Sequence, residues 1–145
     1  MINDWHPIIV HFPITLVVVS LLFQTLSMTL PRYVSQITGL MILWLGAISA
    51  FLASITGEKA YSSLQSLEIG TIKEVIGQHE DLANITTWST IIFVFGWTFL
   101  YLKFKDRNWI NWIILTGLTI LCIMVLLTGF MGGDLVYTHG ILYFR

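Results

Sequence analysis

The chain is nearly without cysteine, sparing with proline and poor in charge. Its one cysteine, Cys122, excludes an internal disulfide and any zinc or iron–sulfur site built on several thiolates. Cys122 stands among Leu and Ile, where a small apolar filler fits. Asp, Glu, Lys and Arg make up 10% of the 145 residues, against about a quarter in an ordinary soluble domain. A net charge of −1 offers no basic surface for nucleic acid. The sequence has no glycine-rich nucleotide loop, and no Ser or Cys stands in a nucleophile elbow. No basic cluster precedes the first apolar run and no small-residue cleavage pattern follows it, so that run is expected to stay as a membrane span.

Apolar residues are plentiful. They form 56% of the chain, and the mean hydropathy is +0.81. A bilayer's hydrocarbon layer needs about 20 apolar residues in a helix. Four stretches reach that length, at about 8–30, 34–56, 82–104 and 109–131. Backbone polar groups in lipid must bond within the chain, so the expected fold is all-α: a single domain over 1–145, built as a four-helix transmembrane bundle. Trp5, Trp88, Trp109 and Trp112 fall near span ends, as an aromatic belt requires, while Trp44 and Trp97 lie deeper and are expected between helices. The small residues of "GLMILWLGAISA" (39–50) suit close helix contact.

Basic residues set the orientation. The short turns at 31–33 and 103–109 hold Arg32, Lys103, Lys105 and Arg107 against one acid, Asp106. The positive-inside rule puts these turns in the cytoplasm. Both termini and the long central connection then face outward, which in a two-membrane cell makes this an inner-membrane protein with periplasmic termini. Within the connection, Thr71 followed by Glu74 resembles a capping box that starts a helix toward His79, and Leu64, Leu67, Ile69 and Ile72 suit the membrane surface.

All four histidines fall at that outer face. His6 and His11 open the first span in "WHPIIVHFPI", His79 precedes the third, and His139 follows the fourth. Histidine is costly near hydrocarbon and there marks a functional site. His6 and His11 differ by five positions, about 140° around a helix, so they do not aim at one atom from one regular helix. Pro7 suits a first helical turn, and Pro13 deprives the carbonyl near residue 9 of its donor and is expected to bend the chain there. Gly129, Gly132 and Gly133 clear side chains from "TGFMGGDLVYTHG" so that a backbone or a flat ligand can approach. Asp134 is expected to pair near the membrane boundary, and Gly140 to cap the fourth helix. "TGE" at 56–58 is expected to close the second helix and to add Glu58 to the same face.

"HPIIVHFPI", "TGE", His79 and "GFMGGDLVYTHG", in this order, resemble a bacterial four-span membrane family catalogued as domain of unknown function 2231. The resemblance covers nearly the whole chain. The tail "THGILYFR" departs from the valine-rich ending expected after the His-Gly pair. Some relatives are joined to, or encoded beside, cytochrome-c-like domains, and the resemblance thereby implies extracytoplasmic electron transfer.

Two helices of a bundle can each present one imidazole to opposite faces of a haem. The expectation is one or two haem b groups held by His6, His11, His79 and His139, with His11–His79 and His6–His139 as the first pairings. Such a centre would pass electrons from quinol to a c-type cytochrome while Glu58 or Asp134 takes the protons. The alternatives are a zinc, copper or iron site on the same imidazoles with a carboxylate, and a cofactor-free scaffold, either a homo-oligomer or a subunit of a larger membrane complex.

Overall fold

The computed structural model describes residues 6–64, 70–104 and 107–137, with side chains described for all of these except 60–64 and 70–72. Five α-helices follow in order: α1 (His6–Ile9), α2 (His11–Thr29), α3 (Gln36–Leu64), α4 (Gly70–Phe104) and α5 (Asn108–Tyr137). Among the described residues there is no strand. α1 and α2 form one interrupted rod, so four rods pack side by side. Each packs against its neighbour in sequence, and α2 closes the ring against α5. All four rods are long and apolar enough to cross a membrane: His6–Thr29, Gln36–Lys59, Lys73–Phe104 and Asn108–Tyr137.

The interruption at Val10 has a direct cause. Pro13 has no N–H for the carbonyl of Ile9, four residues back, and its ring crowds that carbonyl. The helix therefore breaks between Ile9 and His11, with Val10 N–H still bonded to the His6 carbonyl at 3.1 Å. The expected bend lies where the missing donor puts it.

Two boundaries differ from the sequence reading. "TGE" does not close its helix, because α3 runs unbroken through Thr56, Gly57 and Glu58 to Leu64. A glycine in a helix costs only about 1 kcal/mol, and packing against α1 holds the helix together there. α4 begins at Gly70 and continues without a break through His79 into its span, so the spanning helix starts twelve residues before the expected boundary at 82. The surface placement of Leu64, Leu67, Ile69 and Ile72 and the cap at Gly140 lie outside the described side chains.

The bundle presents apolar side chains outward, as lipid demands. Met41, Ile92, Phe95, Leu126 and Phe130 are exposed along the rods, and so are Trp88, Trp109 and Trp112. Trp97 is buried, and Trp44 stands edge-on to Phe95 with its indole N–H donating to Thr98 Oγ1 at 3.1 Å. Small residues set the helix spacing: a Cβ on Gly39 would meet Trp97 at 3.2 Å and the Ser20 carbonyl at 3.3 Å, while Ala47, Ala50 and Ala53 are buried. Cys122 packs beside the core as a filler.

The interior changes character with height. In the middle, Val17, Leu43, Val94 and Leu118, one from each rod, are fully buried in a single apolar cluster. Toward the short turns the core becomes polar. Ser20 donates to the Gly39 carbonyl at 2.9 Å, Gln36 donates to Asn111 Oδ1, and Gln24 reaches the Asn111 carbonyl at 3.4 Å. Gln24 is 1% exposed and its Oε1 has no partner. An unpaired buried amide oxygen costs about 1–3 kcal/mol, and the single bond made on the other side is long. Gln24→Leu is therefore expected to leave thermal stability in detergent unchanged or to raise it, and a melting temperature lowered by several degrees would contradict this accounting.

Candidate functional site: a two-histidine mouth

The end opposite the short turns gathers chemistry from all four rods. His6 comes from α1 because the break at Val10 lets the first turn lean onto α3. Its Nδ1 lies 3.1 Å from Thr56 Oγ1. The Thr56 hydroxyl proton is already committed to its own helix, at 2.9 Å from the Ala53 carbonyl and 3.1 Å from that of Leu52. The threonine oxygen can then only accept, so His6 donates to it from Nδ1, and the Ala53 backbone also lies within hydrogen-bond reach of the ring.

His79 enters from α4. Its ring is largely enclosed, and its Nδ1 is buried with no hydrogen-bond partner. The Thr128 backbone of α5 lies beside the ring, and a Cβ on Gly132 would meet Cε1 at 3.1 Å and Nε2 at 3.6 Å. On the other side, a Cβ on Gly57 would stand 2.9 Å from His6 Cε1. Each imidazole thus lies against a glycine of the neighbouring rod, where any larger residue would displace it. The two rings are close enough to interact electrostatically. One layer deeper, Thr86 and Thr128 join α4 to α5 through their hydroxyls at 3.2 Å.

Of the four histidines singled out in the sequence, the structure brings His6 and His79 together. His11 is exposed on α2. His139 lies outside the described residues. Glu58 is exposed on α3, close enough to Glu80 for their charges to interact. Asp134 is half-buried near the end of α5 and is engaged with a neighbouring group. Among the described residues no three His, Cys, Asp or Glu side chains converge closely enough to hold a bare metal ion. Thr56 and Gly57 stand out only as part of "TGE", and Thr128 only as the first residue of "TGFMGGDLVYTHG", since its role depends on which face of α5 meets α4.

Four long rods with apolar outer faces and a polar mouth define a multi-span α-helical membrane protein. The chain belongs to the family described as predicted membrane protein (DUF2231), whose model matches residues 4–143. No curated protein and no solved structure matches the chain.

Proposed function

We propose that the protein is a haem-binding electron-transfer protein of the cytoplasmic membrane, with its histidine mouth and termini on the outer side and its short basic turns inside. The observation that carries this reading is the pair His6 and His79. One imidazole is fixed through Nδ1 to Thr56, the other has a buried Nδ1 with no hydrogen-bond partner among the described residues, and they come from different rods, each against a glycine. A porphyrin supplies four nitrogens of its own, so two imidazoles are all that a six-coordinate haem asks of the protein. A bare zinc, copper or iron ion needs three or four protein ligands. The two described imidazoles equal the number that haem asks for, and this supports haem ahead of the metal-ion alternative. His11, exposed on α2, is left for a second centre.

When bound, the haem would supply one-electron chemistry. The chain's own groups hold the imidazole tautomer through Thr56 and offer Glu58 and Asp134 at the rim as proton acceptors. Quinol as donor and a c-type cytochrome as acceptor suit a centre at the outer boundary. The test is the absorption spectrum of protein purified from haem-sufficient cells. A Soret band is expected, with the reduced-minus-oxidised bands of a low-spin b-type haem. His6→Ala and His79→Ala should each abolish the low-spin signal, whereas His11→Ala should retain it if one centre is present. A colourless wild-type protein, or a spectrum unchanged by both substitutions, would overturn the proposal.

A further inference from the structure

At the opposite end of the bundle a second site opens. A cleft of about 720 Å³ lies between the short turns, bordered by the polar side chains of Ser27, Ser35, Gln36, Tyr101, Asn108 and Asn111 and by the apolar Met28, Val34 and Trp112. It is independent of the histidine mouth: 22 residues of α4 separate His79 from Tyr101, about 33 Å at helical rise. Three features define what it would take. Among the described residues no charged side chain lines it, so the group that enters deepest must be uncharged and able both to donate and to accept hydrogen bonds. Two exposed arginines adjoin lining residues in the chain, Arg32 after Pro31 and Arg107 before Asn108, so their long side chains can bring positive charge to an anion at the rim. Its apolar border, with Trp112 exposed, faces the zone where aromatic rings meet the membrane boundary.

A ligand with a neutral polyol end, an anionic middle and hydrocarbon beyond matches all three. We infer that this cleft binds the phosphoglycerol head group of an anionic membrane lipid. The glycerol hydroxyls meet the exposed Asn108 amide and Ser35 hydroxyl, and the amide groups that the Gln36–Asn111 hydrogen bond leaves over. The phosphate lies by Arg32 and Arg107, aided by the N-terminus of α5, whose first residue Asn108 lines the cleft. The acyl chains run over Met28, Val34 and Trp112.

The full-length protein, delipidated in detergent, would be titrated with dioleoylphosphatidylglycerol and, separately, with dioleoylphosphatidylcholine, and followed by thermal melting and native mass spectrometry. Phosphatidylglycerol should raise the melting temperature and survive as one lipid per chain, and phosphatidylcholine should do neither. Arg32→Gln with Arg107→Gln should weaken phosphatidylglycerol binding about tenfold or more. Ser35→Phe should block it without lowering the lipid-free melting temperature. His79→Ala should bind the lipid like wild type, which keeps this outcome separate from the haem proposal. Water-soluble glycerol 3-phosphate should give no shift, and a shift equal to the lipid's would reassign the cleft to a soluble phosphate ester and overturn the lipid inference. Equal stabilisation by both lipids, or undiminished binding in the arginine and Ser35 variants, would also overturn it.

Discussion

Gly132→Val is expected to drive the His79 ring out of its enclosed position. A Cβ at residue 132 already meets the ring at 3.1 Å, and valine adds two methyl groups on a stiff χ1. The ring cannot retreat far, because Thr128 lies beside it on the same helix. Carbethoxylation by diethylpyrocarbonate, read by mass spectrometry on cofactor-free protein, gives a measure independent of any bound group. In wild type, exposed His11 should react quickly and enclosed His79 slowly. In Gly132→Val, His79 should react about tenfold or more faster, because local opening of roughly 1.4 kcal/mol is one decade in exposed population. Gly57→Val should do the same for His6, with the Thr56 bond lost as well. Unchanged rates at His79 and His6 in these variants would mean that the glycines do not seat the rings.

The largest loss of stability is expected from Gly117→Ala. The added methyl would stand 2.1 Å from Phe93 Cε2 and 2.7 Å from Cζ, far inside contact distance. Phe93 must swing away, giving up its edge contact with Trp97 at 6.3 Å between ring centres. Overpacking of this kind costs about 1–3 kcal/mol, offset in part by the higher helix propensity of alanine. Because Phe93 is only partly buried, the ring can move toward lipid, which bounds the cost from above. Melting in detergent, with Phe93→Ala as second site, isolates the clash. Gly117→Ala should be strongly destabilising alone and nearly silent on the Phe93→Ala background. A methyl tolerated equally well on both backgrounds would refute the close packing of Phe93 on Gly117.

Much of this architecture was legible in the sequence, for physical reasons. Spans are easy to read because lipid imposes both a length and an apolar composition, and the Pro13 break follows from one missing N–H. The inward positions of Trp44 and Trp97 and the outward ones of Trp88, Trp109 and Trp112 follow from the same solvent logic. Helix ends were harder. Nothing local tells a glycine that stops a helix from one that seats a neighbour's ring, and Gly57 does the second. The histidine partners were only half legible. Topology puts His6, His11 and His79 at one end, but which of them are enclosed depends on the rotation of each rod: His6 lies against α3 and His79 against α5, while His11 is exposed. The polar cluster of Gln24, Gln36 and Asn111 was invisible for the same reason: three uncharged amides far apart in the chain converge only once α2, α3 and α5 are packed.

The apolar layer of Val17, Leu43, Val94 and Leu118 has a consequence for how the two ends of the molecule can be studied. It holds the histidine mouth and the amide cluster of Gln24, Gln36 and Asn111 apart with one tightly packed storey between them, so substitutions made at one end are expected to add independently to those made at the other.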